Sequence, residues 1–162
     1  MKRIARFEHV SDAQLDRAFS EESRPGNDRF ILPRRATSGS AGYDFFAPFD
    51  LTVHPGETVT VPTGVRVWME EGWVLKLYPR SGLGFKYRLQ LNNTVGIIDS
   101  DYYYSDNEGH IFIKISNDSY DGKTVTVAAG EAFAQGIFCE YGITVDDDAT
   151  AVRNGGFGST TR

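Results

Sequence analysis

From residue 30 onward the chain is a succession of short stretches rich in Val, Ile, Thr and aromatic residues, cut at close intervals by Gly, Pro, Asn or Asp. Stretches at 51–53, 58–61, 65–68, 74–78, 110–116, 124–128 and 132–138 all have this character. Such a texture leaves room for strands but not for long helices, which argues against a parallel βαβ architecture and the dinucleotide folds built on it. Alternation is clearest where Ile111, Ile113 and Ile115 interleave with Phe112 and Lys114. A period of two puts one face of a strand on a core and the other toward solvent. The expectation is an all-β jelly roll, as a barrel or a sandwich.

One helix is predicted, over residues 11–22. There Ser11 and Gln14 form a capping-box pattern and Val10 is spaced to staple against Leu15. Its apolar stripe of Leu15, Ala18 and Phe19 is narrow, fit to lie against a larger body rather than to make a core. Residues 23–29, with Pro25, Gly26 and Asn27, read as a connector. The chain thus divides into an N-terminal extension (1–30), a β domain (31–152) and a Gly-rich C-terminal arm (153–162). A length of 162 residues suits one domain able to bury roughly two thirds of its unfolded surface.

Cys139 is the single cysteine, which excludes an internal disulfide and suits a reducing cytoplasm. The longest charge-free run, residues 89–98, contains Gln90, Asn92 and Asn93 and is too short and too polar to span a bilayer. No signal-peptide pattern opens the chain. Residues 1–35 hold 8 basic and 6 acidic side chains and the remainder 9 and 16, so a front of +2 precedes a body of −7, for a net charge of −5. That balance argues against duplex nucleic acid as a partner, while a few local cations suffice for a phosphate-bearing small molecule.

Five segments carry residue types with chemical potential. Residues 79–86, Pro-Arg-Ser-Gly-Leu-Gly-Phe-Lys, follow an apolar strand. Ser81 is placed to cap a helical turn whose free N–H groups, beside Arg80 and with Gly82 allowing close approach, would hold an anion; a plain strand-ending turn is the other reading. Residues 93–101, Asn-Thr-Val-Gly-Ile-Ile-Asp-Ser-Asp, end with two carboxylates. Spaced by two on a strand, Asp99 and Asp101 would share a face and hold a water, or simply close the strand. Tyr102, Tyr103 and Tyr104 line a planar ligand or pack at an edge. Gln135 is a polar exception on its strand, of a kind commonly found exposed. The tail from Arg153 combines a guanidinium, glycines, Phe157 and two hydroxyls, and reads as a closing segment or a loose end. His9, His54 and His110 lack metal-ligand spacing.

Taken in order, these segments and Ala41-Gly42-Tyr43-Asp44 resemble the motifs of the trimeric dUTPase family. Residues 41–44 are similar to its first motif, 79–86 to the second, 96–102 to the third, 130–135 to the fourth and 153–160 to the Gly-rich fifth. The resemblance covers residues 32–160. It implies a homotrimer of jelly rolls with active sites shared between subunits, hydrolysing dUTP to dUMP and pyrophosphate with Mg²⁺ chelated by the triphosphate. Such an activity limits uracil in DNA and supplies dUMP for thymidylate synthesis. By motif, Asp99 is the base that orients water toward the α-phosphorus. Asn93 reads uracil in a hairpin, together with backbone groups of the third motif, which includes Gly96 and Ile98. Tyr102 lies under the deoxyribose. Arg80, Ser81, Gly82 and Gln135 bind the phosphate chain or its metal waters, Asp44 supports that region, and Asp101 is a further supporting carboxylate. Arg153, Ser159 and Thr160, with Gly158, hold the γ-phosphate end while Phe157 stacks on the base. An ordinary carboxylate is a weak base at neutral pH, so the resemblance gives Asp99 mainly an orienting role.

Three departures from the family pattern stand out, the first being that residues 1 to about 30, with the predicted helix, lie outside it. Residues 103–108 intervene between Tyr102 and Gly109, which leaves Tyr102 and Tyr103 as alternatives beneath the sugar. Ala132 stands where a basic residue is common. A dCTP deaminase is the nearest enzymatic alternative, although no matching carboxylate motif accompanies residues 79–86. A nucleotide-responsive module docking a regulatory protein through residues 103–108 or the front helix is another.

Overall fold

The computed structural model of the chain describes residues 1–155. Its elements run β1 (Ala5–His9), α1 (Asp12–Ala18), β2 (Tyr43–Phe46), β3 (Leu51–Val53), β4 (Thr58–Pro62), β5 (Val65–Met69), β6 (Trp73–Pro79), α2 (Ser81–Tyr87), β7 (Leu89–Leu91), β8 (Gly96–Ile98), β9 (Phe112–Asn117), β10 (Val125–Val127) and β11 (Ala132–Glu140). Short 3-10 turns occupy Asn27–Arg29 and Ser100–Tyr104. The expected β stretches all form. Every ladder is antiparallel.

The strands fall into a four-stranded sheet of order β2-β11-β6-β8, a three-stranded sheet β4-β9-β7, and the pairs β1-β5 and β3-β10. No sheet among the described residues closes on itself, so of the two expected forms the barrel is set aside. Several strands have only three residues, and a closed ring needs ladders that continue from strand to strand. A single large cluster joins the sheets, including Phe45, Val61, Leu75, Leu77, Ile113, Ile115 and Phe133. Ile113 and Ile115 are 1% and 0% exposed while Lys114 between them is exposed, which is the alternation the sequence predicts.

The front of the chain differs more from expectation. Residues 5–9 form β1, an unpredicted strand paired with β5 from Ala5↔Met69 to His9↔Val65. Phe7 anchors it, with its ring centroid 5.3 Å from Tyr43, 5.8 Å from Phe45 and 5.7 Å from Phe138. The helix expected over 11–22 is confined to Asp12–Ala18. Ser11 caps it by accepting from Gln14 N–H, and Val10 and Leu15 meet in a small buried cluster with Phe30. Phe19 leaves the helix with extended backbone and sets its ring against Phe30 and Phe49, at 5.8 and 6.1 Å. Beyond it, Glu21 and Glu22 would have placed like charge on the negative end of a longer helix. No helix among the described residues is long and apolar enough to cross a membrane.

Candidate active site

β7 and β8 are consecutive yet belong to different sheets, β7 pairing with β9 and β8 with β6. The turn at residues 92–95 therefore bridges two sheets instead of closing the expected hairpin ladder. Thr94, at φ 66°, bends the chain there, and its N–H donates to Leu91 O at 2.9 Å. Asn92 Oδ1 accepts from Ser116 Oγ on β9 at 3.1 Å, tying the turn to the neighbouring sheet.

Between this turn and the 3-10 turn at residues 100–104 lies a cavity of about 480 Å³. Asn93, Gly96, Ile98, Asp99, Tyr102 and Arg153 line it, all predicted from sequence. Lys114 and Thr60 line it as well and were not anticipated. The signal for Lys114 was its place between Ile113 and Ile115, which turns it out of the core, although Ile113 reaches the cavity as well. Gly96 is set closely on β6, where a Cβ would lie 3.0 Å from that of Leu77.

Asp99 and Asp101 do not share a strand face. β8 ends at Ile98, Asp99 caps the 3-10 turn, and Asp101 lies within it. Their convergence comes from Arg153 instead. Arg153 Nη2 donates to Asp99 Oδ2 at 2.5 Å and Nε to Asp101 Oδ1 at 2.8 Å. The guanidinium is the more enclosed partner, its side chain 19% exposed against about half for each carboxylate. One planar cation thus spans two anions at the cavity rim.

Of the two tyrosine alternatives, Tyr102 is buried and lines the cavity. Its hydroxyl donates to His110 O at 2.8 Å and accepts from Asn107 Nδ2 at 2.8 Å. Burial raises its phenol above the ordinary range. Tyr103 is turned to the front of the chain. Its hydroxyl donates to Glu8 Oε2 at 2.6 Å, and the Arg66 guanidinium lies 3.6 Å from its ring centroid.

Arg80, Gly82 and Asp44 line a second depression that shares no wall residue with the first. Arg80 Nε lies 3.5 Å from Asp44 Oδ1. Gln135 is opposite Asp44 in the β11–β2 ladder; it is half-buried rather than exposed, and its Nε2 donates to Pro79 O at 3.2 Å. Arg80, not Ser81, caps α2: it has extended backbone, and Ser81 is the first helical residue. No side chain caps this helix, so its first N–H groups face outward. Since Ile98 is level with Leu75 on β6 while Arg80 follows Pro79, Asp99 and Arg80 are at opposite ends of that strand, about 20 Å apart. Phe157, Gly158, Ser159 and Thr160 lie outside the described residues.

Fold and site together define an all-β protein with an acid-rimmed, nucleotide-sized cavity. A family model for dUTPase matches residues 28–161. The deoxyuridine 5′-triphosphate nucleotidohydrolase of Lactococcus lactis subsp. lactis strain IL1403 is 39% identical over 147 residues, covering 89% of this chain and 97% of that protein. Its counterpart from Escherichia coli O9:H4 strain HS is 41% identical over 141 residues, covering 82% and 89%. The crystal structure of dUTPase from Streptococcus mutans matches with a TM-score of 0.67 at 37% identity, over 87% of this chain and 98% of that one. A mutant dUTPase of Staphylococcus aureus phage phi11, whose structure describes coordination of a structural Mg(II) ion, shares the fold with a TM-score of 0.66 at 20% identity, over 92% and 98%. The chain belongs to the dUTPase family.

Proposed function

We propose a mechanism for the dUTP diphosphatase activity that goes with this family membership. Uracil and deoxyribose enter the cavity beside the 92–95 turn. Asn93 and the backbone about Gly96 and Ile98 read the base, and Tyr102 lies beneath the sugar. Asp99 orients a water for in-line attack on the α-phosphorus and takes up its proton as the bond to the bridging oxygen breaks, leaving dUMP and pyrophosphate. Little covalent chemistry is asked of the protein, so positioning and charge neutralisation carry the rate. What supports this reading above all is one observation: Arg153, 54 residues beyond Asp99, lines the same cavity as Asp99 and Tyr102.

Beyond Arg153 and Lys114 in the cavity, the phosphate chain needs further donors, and Arg80, Ser81, Gly82 and Gln135 have the chemistry for it. Because Arg80 and Asp99 are about 20 Å apart within a chain, the reading requires the two groups to come from neighbouring subunits of a homotrimer. Arg153 then leaves the carboxylates for the γ-phosphate end, joined by Ser159, Thr160 and Gly158 with Phe157 over the base. This exchange frees Asp99 as substrate seats.

Mg²⁺ fits the oxygen donors at the second depression. Asp44 offers a carboxylate, and the Gln135 amide oxygen lies near Gly42, where a Cβ would come within 2.7 Å of it. Asp44 and Gln135 would hold such a hard ion through its waters rather than directly. When bound it neutralises triphosphate charge. Physiologically, the reaction would keep uracil out of DNA and provide dUMP for thymidylate synthesis in the cytoplasm.

Asp99→Asn tests the assignment. A lost orienting base is worth about 10² to 10⁴ in kcat, while affinity for a non-hydrolysable dUTP analogue stays near that of the parent. Unchanged turnover would remove Asp99 from the mechanism.

A further inference from the structure

Tyr102 is followed by an insertion whose exit turns twice through left-handed backbone, at its last residue Glu108 with φ 60° and at Gly109 just beyond it with φ 71°. Gly109 packs so tightly on the preceding turn that a Cβ would stand 2.7 Å from Tyr103 Cα and 2.8 Å from Tyr102 O. Glu108 has no such steric licence, because a side-chain-bearing residue in this conformation persists only where its surroundings hold it. What holds it is the front of the chain. Glu108 Oε2 accepts from Ser11 N–H at 2.9 Å and Oε1 from Ser11 Oγ at 2.5 Å, at the N-cap of α1. These bonds keep its carboxyl below the usual range.

Two further ties run from the same front segment to the same insertion. Tyr103 donates to Glu8 on β1. His110 has no exposed surface and sits beside Gln14 of α1, with Nδ1 3.3 Å from Gln14 Nε2. Gly64 N–H donates to His110 Nε2 at 2.9 Å, so the imidazole proton is on Nδ1. An Nδ1–H calls for the Gln14 amide to be turned, with its oxygen rather than Nε2 toward the ring, which also gives a partner to an oxygen that otherwise has none. Between these ties, His110 O and Asn107 grip the Tyr102 hydroxyl. Glu8, Ser11 and Gln14 all precede the residues that the dUTPase model matches.

We infer that Glu108 is a positioning residue for sugar selection: through its tether to Ser11, the front segment fixes Tyr102 at the depth that admits deoxyribose and excludes a 2′-hydroxyl. The inference rests on Tyr102 lying beneath the sugar. Selectivity against a hydroxyl demands a wall that does not yield. A tyrosine whose supporting turn gives way loses that property without losing its place in the fold.

Glu108→Gly separates the tether from the backbone, since glycine accepts φ 60° without strain and so preserves the turn. The measurement is kcat and KM for dUTP and UTP, with a thermal melt of each variant. In Glu108→Gly the melting temperature stays near that of the parent and kcat for dUTP is kept. KM for dUTP rises and the preference for dUTP over UTP falls about ten-fold. Glu108→Gln, which still accepts from Ser11 N–H, recovers most of that preference. An unaltered preference in Glu108→Gly, or an equal loss of kcat on both nucleotides, overturns the inference. Tyr102→Ala tells the two levels apart. If it lowers the preference while Glu108→Gly does not, only the tether is wrong. If it too leaves the preference unchanged, the placement of Tyr102 beneath the sugar fails and takes the inference with it.

Discussion

His110 carries an imidazole with no exposed surface, and burial depresses its pKa from 6.5 to about 4, opposed only partly by the Glu108 carboxylate. Between those two values the unfolded chain binds a proton that the native chain refuses. Stability from this group is therefore complete above about pH 6.5 and is lost progressively as pH falls toward 4, by on the order of 2–3 kcal/mol. Protonation would also set a second N–H against that of Gly64. Urea titrations between pH 7.5 and 4.5 should show a steep fall in unfolding free energy for the parent and a shallower one for His110→Gln. Equal slopes would mean that the imidazole titrates normally in the fold. None of this was visible in the sequence, where His110 stood at the head of a strand with no partner in view. Its polar contacts come from Gln14 and Gly64, brought near only by the folded topology.

At the scale of elements, legibility followed periodicity. β9 was readable because Ile111, Ile113 and Ile115 alternate with residues that face outward. β1 was not, because Arg6, Glu8 and His9 surround Phe7 and the strand is recruited by the edge of β5 instead of by its own pattern. The carboxylate pair was foreseen for a reason the fold does not use. A period-two argument joined Asp99 to Asp101, whereas a 3-10 turn and a distant guanidinium do so in fact. β11 shows how an element can be fixed by something missing. At Gly136 a Cβ would meet Leu75 Cδ1 at 2.8 Å, Phe45 Cε2 at 3.1 Å and Leu77 Cδ2 at 3.2 Å. All three neighbours belong to the main core, where they have little room to yield. Gly136→Ala should then destabilise the protein by roughly 1–3 kcal/mol through overpacking, read as a lower urea midpoint at constant m. Because Gln135, which the proposed mechanism places at the phosphate chain, is the neighbour of Gly136 on the strand, dUTP turnover in this variant should also fall. A midpoint equal to the parent's would show that the three side chains repack freely.

For the whole molecule, the proposed mechanism draws on both depressions, which lie at opposite ends of β6. Asp99 belongs to the end of β6 near Leu75, and Arg80 to the end beyond Pro79. If each active site takes Asp99 from one subunit and Arg80 from its neighbour, two chains damaged at different positions should repair one another. Asp99→Asn and Arg80→Ala are each expected to be nearly inactive alone. Unfolded together at equal concentration and refolded, they would assemble at random into closed trimers. A site is intact only when its Asp99 comes from the Arg80→Ala chain and its Arg80 from the Asp99→Asn chain, which holds for about a quarter of sites by independent draws at the two positions. Activity of the co-refolded mixture should therefore climb to roughly a quarter of the parent's, while a mixture of the two pre-assembled variants stays inactive until subunits exchange. A site complete within one chain would give no recovery under either protocol, because every such site would carry one lesion. The size of the recovery thus measures how the site is divided, and its dependence on refolding shows that the division runs between subunits.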